Sequence, residues 1–264
     1  MVFVTKRIYI LFLFLCINVA CFAQFGILFS ADRELSNSLI YDIHQDHNGV
    51  IWISTEDGLN RYDGAKFSVY KHDKKDSLSL QHNYVRLFFE DSKGHFLVGF
   101  FNGLQQYDYA TDKFKEIPML FENGVPFRAH VISILERKSG DVLAGTSGQG
   151  IYKLSFEDGR SVANKINSLI PSDMILFMYE DQNENLWIST EDKGLHRLSK
   201  DNKLKIFFKY DDMILNNISS ICEDSEGNIL VGSMTNGLFR HDKTIDRFIP
   251  VAYAENQNLS VKTL

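Results

Sequence analysis

Apolar and polar positions along this chain recur as one unit at a nearly constant spacing. Within each unit, a run of apolar residues, such as residues 50–54, lies between two turns. The central Trp or Leu of this run returns after 45, 46, 44 and 43 residues, at Trp52, Leu97, Leu143, Trp187 and Leu230. Self-similarity at so steady a period predicts a repeat protein in which each copy is one structural unit.

Each copy predicts four short β-strands, which in the first copy are residues 40–46, 50–54, 59–62 and 67–70. An Asp-x-x-Gly turn joins the first two strands, because its Asp can bind backbone N–H groups and its Gly can take a positive φ without steric cost. The second strand is nearly all apolar, which is typical of a strand buried on both faces. The residues expected to hold the repeat together are Asp46, Gly49, Trp52, Gly58, Asp91, Gly94, Gly103, Gly140, Asp181, Trp187, Gly194, Asp224, Gly227 and Gly237.

A four-stranded sheet of this size cannot bury both of its faces alone, whereas sheets stacked around an axis can. We therefore predict an all-β fold, a β-propeller of four-stranded antiparallel blades with about five blades in an incomplete, open ring; a linear stack of sheets is the alternative. The partial propeller is expected over residues 24–264, with 252–264 as the start of a sixth repeat. The blades are expected at residues 38–73, 83–118, 128–167, 173–210 and 216–251.

Two copies depart from the turn pattern. Glu184 stands where the turn glycine belongs, and a left-handed conformation at a non-glycine residue costs on the order of 1 kcal/mol. Arg137 replaces the turn Asp of the third copy, which also lacks a clearly aromatic fourth strand. The third blade is therefore expected to be the least regular.

The N-terminus predicts export. Lys6 and Arg7 precede an almost purely apolar run at residues 8–20, which is shorter than the roughly 20 residues that span a bilayer. Residues 1–23 are therefore interpreted as a signal peptide, with lipidation at Cys21 as the alternative. This predicts a periplasmic or otherwise extracytoplasmic protein.

The cysteine count, the net charge and the spacing of the histidines argue against several kinds of site and partner. After the signal, Cys222 is the one remaining cysteine, so packing rather than a disulfide must hold the fold, and this residue is expected to be buried filler. The net charge of −6, with no clustered basic surface, argues against a nucleic-acid partner. The histidines, including His44 and His47 at a turn, show no metal-ligand spacing, so neither a metal nor a cofactor is predicted. Residues 25–29 resemble a lone fourth strand that would pair with a final blade. Because unpaired strand edges favour association, a homodimer is predicted as one partner arrangement.

The first copy, residues 46–63 with the preceding residues 35–40, closely resembles the two-component regulator propeller repeat. The resemblance covers about residues 25–250, and the first and fourth copies match best. Such repeats form the periplasmic sensor region of hybrid two-component proteins, where they precede a β-sandwich, a transmembrane helix, a histidine kinase and a response regulator. The resemblance implies a sensor of oligosaccharides that regulates polysaccharide use. No kinase signature is present, so the chain is expected to be a non-enzymatic, truncated sensor region whose partners are an oligosaccharide and the missing C-terminal sensor and kinase domains.

In propellers, loops that lead into the first strands share one end with the loops between strands two and three, and that end commonly holds the site. The residues entering the first strands are polar and suit a sugar, with Tyr84 or Phe101 as an apolar platform; alternatively, they satisfy turn backbone groups. The candidate ligand-binding residues are Asn37, His82, Asn83, Tyr84, Arg128, Asp173, Asn216 and Asn217.

Two other functions stay open at this point. The adjacent acid pairs 56–57 and 191–192 could serve a sialidase-like glycoside hydrolase or a lyase, although acidic turn residues are the simpler account. No catalytic residue is predicted, because the copies share no acid in these loops. Basic residues recur in the third strands, but separate blades would not bring them together, so a structural role is expected for Arg61, Lys153, Arg197 and Arg240. The remaining alternative is a periplasmic protein-binding scaffold.

Overall fold

The computed structural model describes residues 34–157, 159–166, 169–210 and 213–251. The predicted signal peptide, the lipidation alternative at Cys21, the lone strand at residues 25–29 and the sixth repeat at 252–264 lie outside the described residues. The described part of the chain contains no helix that is long and apolar enough to cross a membrane.

The described strands form five larger sheets, which we call blades one to five in chain order, and one separate two-stranded hairpin; their strand pairs are antiparallel except for one pair in blade three. Blade one contains β1 (Ile40–Gln45), β2 (Ile51–Thr55), β3 (Gly58–Tyr62) and β4 (Phe67–Tyr70). Blade two contains β5 (Leu87–Glu90), β6 (Phe96–Phe100), β7 (Gly103–Asp108) and β8 (Lys113–Glu116). Blade three contains β9 (Met119–Leu120), β10 (Pro126–Phe127), β11 (Val131–Glu136), β12 (Val142–Thr146), β13 (Gly150–Glu157) and β14 (Arg160–Lys165).

The last two blades repeat the four-stranded order. Blade four contains β15 (Ile175–Glu180), β16 (Leu186–Thr190), β17 (Gly194–Leu198) and β18 (Leu204–Phe207). A short hairpin, β19 (Lys209–Tyr210) and β20 (Met213–Ile214), separates it from blade five. Blade five contains β21 (Ile218–Glu223), β22 (Ile229–Ser233), β23 (Gly237–Asp242) and β24 (Arg247–Pro250).

The predicted propeller of four-stranded antiparallel blades is confirmed. The first strands of successive blades contact one another and therefore lie innermost. Among the described residues, no strand of blade five pairs with a strand of blade one, so the succession is open.

The core lies between the blades, where each sheet packs against the next sheet along the chain. We call the face of a blade that is turned towards the following blade its back face. Between blades one and two, the fully buried Trp52 ring lies 4.5 Å from Phe96 and 4.9 Å from Tyr107, measured between ring centroids. Between blades four and five, Trp187 packs in the same way against Phe248, with centroids 5.8 Å apart. Burying a large apolar side chain stabilises a fold by about 1.5–3 kcal/mol, so these interfaces hold the succession together. The prediction that both tryptophans belong to the core is confirmed.

The Asp-x-x-Gly turns have the predicted geometry. In blade one, Asp46 Oδ1 accepts hydrogen bonds from the Asn48 and Val50 N–H groups, both at 2.9 Å. Its Oδ2 accepts one from Trp52 Nε1 at 2.8 Å, so one carboxylate ties the turn to the core. Gly49 has a φ of 79°, which a side chain would disfavour. We call the end of the blades that carries these turns the turn end.

The expected departures at the turn end are also present. Glu184 takes the glycine position of blade four with a φ of 63°, which confirms the left-handed conformation expected there. In blade three, the guanidinium of Arg137 points away from its own turn and binds Glu180 of blade four. The distance from Arg137 Nε to Glu180 Oε1 is 2.8 Å. Blade three is the least regular sheet, because β9 pairs in parallel with β14 and extends the sheet to six strands.

A glutamate links each blade to the one before it, a feature that the sequence analysis did not predict. The last residue of each first strand after blade one is Glu, and its carboxylate accepts the N–H of the residue after the turn Asp, or after Arg137, in the preceding blade. The bonds run from Ser92 to Glu136 at 2.7 Å and from Gln182 to Glu223 at 2.8 Å. The four glutamates, which we call the latch glutamates, are Glu90, Glu136, Glu180 and Glu223.

One expectation about the core is wrong. Cys222 is half-buried rather than buried filler. It pairs with Leu230 on the back face of blade five, and the described residues include no further blade to cover that face. Partial burial, with the nearby Asp224 charge, raises the pKa of the Cys222 thiol, which disfavours the reactive thiolate.

Candidate functional site at the mouth end

The end of the blades opposite the turn end is built from two sets of loops, and we call it the mouth end. In four of the five blades, the residue after the second strand donates its N–H to the residue that leads into the first strand of the same blade. Ser147 donates to the His130 carbonyl at 3.0 Å, and Met234 donates to the Asn217 carbonyl at 3.0 Å. The predicted convergence of the two loop sets on one end is therefore present.

In four of the five blades, a bulge at the start of the first strand inserts one extra residue. In blade one, Ile40 pairs with Thr55 and Asp42 with Ser54, which leaves Tyr41 as the inserted residue. Blades three, four and five show the same register shift, so the bulge residues are Tyr41, Ile132, Leu176 and Ser219. Bulges commonly re-aim a side chain beside a binding site. In blade two, β5 pairs with β6 without a register shift, and Arg86 stands at the equivalent sequence position directly before β5.

Aromatic and basic side chains gather at the mouth end of blades one to three. The rings of Tyr41 and Tyr84 lie 5.0 Å apart, and those of Phe101 and His130 lie 4.8 Å apart, between centroids. Phe101 is 67% exposed and Tyr41 is 43% exposed, so both present ring faces to solvent. Together with the exposed Arg86, these residues form what we call the mouth cluster.

The electrostatics single out Arg86 as the cation of this cluster. Burial, reinforced by the Arg86 charge, lowers the pKa of His130, so its imidazole is neutral at pH 7. The neighbouring Tyr84 hydroxyl raises the pKa of Tyr41, while the Arg86 charge acts in the opposite direction. The guanidinium is therefore within electrostatic reach of both rings.

Several predicted ligand residues instead satisfy groups of their own loops. Asn37 Oδ1 accepts the Leu39 N–H at 2.8 Å, and His82 Nδ1 accepts the Tyr84 N–H at 2.9 Å. Asn83 accepts the His72 N–H at 2.7 Å and donates to Asp57 at 2.8 Å. These contacts are the turn-satisfying role that the sequence analysis kept as the alternative.

The predicted residues of blades three to five are engaged in a similar way. Arg128 binds Glu116 through two bonds of 3.0 Å, and Asp173 accepts a bond from Lys165 at 3.2 Å. Asn217 has a φ of 50°, so it shapes the turn before β21, and the Asn216 carbonyl accepts the Ser233 hydroxyl at 3.1 Å. Of the eight predicted ligand-binding residues, the aromatic platform Tyr84 is the one that lies in the mouth cluster.

Sequence reasoning missed Arg86 and His130. The signal was available as a position where one copy differs in kind from the others, since Arg86 stands where the other blades have Tyr41, Ile132, Leu176 and Ser219. Periodicity located these positions, but only the structure shows that four of them are bulge residues and that Arg86 lies directly before β5.

The acidic loop pairs do not form a common catalytic site. Asp57 is held by Lys71 and Asn83, and Asp192 accepts a hydrogen bond from Ser172. The described residues contain no group of three His, Cys, Asp or Glu side chains placed to hold a metal ion.

The basic residues of the third strands act within or between neighbouring blades, as expected from their repetition. Arg197 lies 5.5 Å from the Trp187 ring centroid and binds Asp246 of blade five through bonds of 2.9 and 3.1 Å. Arg61 lies 5.9 Å from the Trp52 centroid. These contacts pack the interfaces between blades and leave the basic side chains apart from one another.

A second concave surface lies at the turn end, between blades two and three. This groove of about 350 Å³ is lined by residues that include Lys115, Phe156 and Arg160. Phe156 stacks on His95 with centroids 3.9 Å apart, and Lys115 pairs with Asp108 at 2.7 Å. Because its aromatic face and one of its cations are already occupied, the groove is a weaker candidate than the mouth cluster.

Comparison with known families identifies the repeat. A family model described as a two-component regulator propeller matches residues 34–57, 169–192 and 212–235. These three segments of the chain are similar to the two-component regulator propeller repeat. A curated relative, histidine kinase P4 of Formosa agariphila, is 46% identical over 46 residues, which are 17% of this chain and 3% of that protein.

Solved structures share the fold over most of the chain. The extracellular domain of the putative one-component system BT4673 of B. thetaiotaomicron matches with a TM-score of 0.71 at 19% identity, over 87% of this chain and 33% of that chain. The extracellular domain of the putative hybrid two-component system BT3049 of the same organism matches with a TM-score of 0.57 at 20% identity, over 90% and 38%. A selenomethionine-substituted virginiamycin B lyase of Staphylococcus aureus has a TM-score of 0.58 at 13% identity, over 85% and 74%. These similarities show the propeller fold, and the chain spans about a third of the length of the two extracellular domains.

Proposed function

We propose that this chain is the ligand-sensing propeller region of an extracytoplasmic two-component receptor, and that the mouth cluster binds an oligosaccharide. The matches to the two-component regulator propeller repeat in three blades carry the proposal. The similarity to extracellular domains of one-component and hybrid two-component systems supports the same cellular side, as does the predicted signal peptide at residues 1–23.

The chemistry of the mouth cluster fits a sugar. Exposed aromatic faces such as Phe101 and Tyr41 can pack against the apolar faces of sugar rings, while neighbouring polar groups bind hydroxyls. Binding would act by linkage, since a ligand that prefers one arrangement of the propeller biases whatever is attached to it. The proposed partners are the oligosaccharide, the further sensor and kinase domains of longer proteins of this type, and a second copy of the chain in a homodimer.

On this proposal the chain binds without catalysing a reaction. The lyase neighbour shares the fold at 13% identity, which carries no residue role to this chain. The described mouth end brings no pair of free carboxylates to one point, since Glu56 and Glu191 belong to blades one and four and their neighbours Asp57 and Asp192 are engaged.

The test is calorimetric titration of the purified chain with a panel of neutral and acidic oligosaccharides. Phe101→Ala should weaken binding by about 3- to 10-fold, the loss expected for one aromatic contact. Ile245→Ala is the control, because Ile245 is 57% exposed and follows β23 at the turn end. Hydrolysis or elimination of a bound glycan would instead favour the enzyme, and equal losses in both variants would place the ligand elsewhere.

A further inference from the structure

Five of the described arginines have no carboxylate partner, namely Arg61, Arg86, Arg160, Arg240 and Arg247, whereas the other three are paired. Arg128 binds Glu116, Arg137 binds Glu180 and Arg197 binds Asp246. The exposed Arg86 side chain makes no hydrogen bond or ion pair to any described residue. Among the described arginines without a carboxylate partner, Arg86 is the one that lies in the mouth cluster.

The position of Arg86 indicates what its unpaired guanidinium can bind. It directly precedes β5, at the sequence position that corresponds to the bulge residues of the other four blades, and those residues are uncharged. A tyrosine, isoleucine, leucine or serine occupies this position in the other blades, so the fold of the repeat does not require a guanidinium there. Its planar fork of N–H donors matches a carboxylate through two parallel hydrogen bonds.

The surroundings make Arg86 the group that an anion would meet. His130 is neutral at pH 7, so it adds no positive charge, and its ring packs against Phe101 at 4.8 Å. The protein as a whole carries a net charge of −6, so its overall field does not attract anions. A negatively charged ligand here needs a specific cationic contact, and Arg86 supplies one beside exposed ring faces.

From this arrangement we propose that the ligand of the mouth cluster is an acidic saccharide, whose carboxylate is bound by Arg86 while a sugar ring packs on Phe101. This assignment rests on the proposed sensing function and narrows it to uronate-containing oligosaccharides. Glu56 is the nearby opposing charge, because its electrostatic effect reaches Tyr41. Neutralising Glu56 should therefore strengthen binding of the same ligand.

The experiment compares each acidic oligosaccharide with its own carboxyl-reduced form, using homogalacturonan, alginate and hyaluronan fragments of two to six sugars as probes. Calorimetry of the full chain should show binding of at least one acidic form and much weaker binding of its reduced form. Arg86→Gln should weaken the acidic form by about 10- to 100-fold, the usual range for a charge-assisted contact, and change the reduced form by less than about twofold.

Two further variants locate the effect. Arg160→Gln removes another exposed guanidinium, in the groove at the turn end, and should leave binding unchanged. Glu56→Gln should strengthen the acidic form by about two- to threefold, as expected for one screened like charge. Thermal unfolding of Arg86→Gln should match that of the original chain, since the guanidinium has no partner in the described fold.

The outcomes separate the two proposals. Equal binding of the acidic and reduced forms, or equal losses of both in Arg86→Gln, overturns the acidic ligand while the sensing function stands. A loss in Arg160→Gln alone moves the site to the turn end and overturns the role of Arg86. If no glycan of either form binds, both the acidic ligand and the proposed oligosaccharide-sensing function are contradicted.

Discussion

The two ends of the blades follow opposite rules. At the turn end, the same residue types make the same bonds in successive blades, as with the Asp-to-backbone bonds of Asp91 and Asp224 and the latch glutamates. At the mouth end, equivalent positions hold side chains of different kinds, as with Tyr41, Arg86 and Ser219. Repetition is what a shared structural role requires, whereas a ligand contacts each blade from a different direction. The comparison teaches that, in this propeller, the departures from the repeat mark the candidate site.

Among the substitutions that test this comparison, the largest loss of stability is expected at Trp187, a core residue that is hydrogen-bonded to the Asp of its turn. Trp187 is 1% exposed and donates to Asp181 at 2.9 Å. Trp187→Ala should lower the free energy of unfolding by about 3–5 kcal/mol, because it leaves a cavity and removes one of the two side-chain hydrogen bonds to Asp181 Oδ2. Urea denaturation measures the loss.

A matched variant sharpens that prediction. Trp187→Leu installs the residue that blades two, three and five use at this position, so it should cost clearly less than Trp187→Ala. Both variants should bind the ligand of the mouth cluster with unchanged affinity while they remain folded. Stability losses below about 1 kcal/mol in Trp187→Ala would show that this tryptophan does not anchor the blade.

A smaller loss is expected from breaking one latch. Glu180, whose side chain is 4% exposed, accepts the Lys138 N–H and pairs with Arg137 across the interface between blades three and four. Glu180→Gln should lower the free energy of unfolding by about 1–3 kcal/mol, because it removes the charge from a buried contact and leaves Arg137 without a carboxylate.

The control for the latch is an exposed ion pair of the same chemistry. Glu116→Gln breaks the pair with Arg128, whose two side chains are about half exposed, and should change stability by no more than about 1 kcal/mol. Chemical denaturation of both variants under one set of conditions gives the comparison. Equal effects would mean that the latch glutamates do no more than surface charges do.

The smallest change in stability is expected at the turn of blade four. Among the described turns of the Asp-x-x-Gly type, this is the one whose glycine position holds another residue, Glu184. Glu184→Gly relieves a left-handed conformation at φ 63°, worth about 1 kcal/mol. The flexible unfolded chain of a glycine variant offsets part of that gain, and the lost pair with Lys200 is exposed and weak. A net stabilisation of about 0.5 kcal/mol or less is therefore expected in thermal unfolding.

The accompanying control separates strain from charge. Glu184→Gln keeps the left-handed conformation but removes the ion pair, so it should be no more stable than the original chain. A higher stability of Glu184→Gln than of Glu184→Gly would contradict strain at this turn. Neither substitution should alter binding at the mouth end.

Much of the fold could be predicted because its determinants are local. Asp46 and Gly49 specify a turn within four residues. The apolar run around Trp52 specifies a strand with apolar side chains on both faces, so a neighbouring sheet must cover each face. The candidate site was predicted less well. Asn37 and Asn83 are the polar types that suit a sugar, but the same types satisfy turn backbone groups, and the sequence does not distinguish the two uses.

The sequence by itself determined the period, the four strands of each copy, the chemistry of the turns and the placement of both tryptophans in the core. All of these depend on residues close together in the chain or on the need of each sheet to hide its apolar faces. Only the tertiary structure decided that Glu180 reaches back to the preceding blade, that Cys222 stays half-buried, and that the exposed Arg86 lies within electrostatic reach of Tyr41 and His130. These features join residues about 42 to 45 positions apart, or depend on which blade face is covered, and packing between blades sets them.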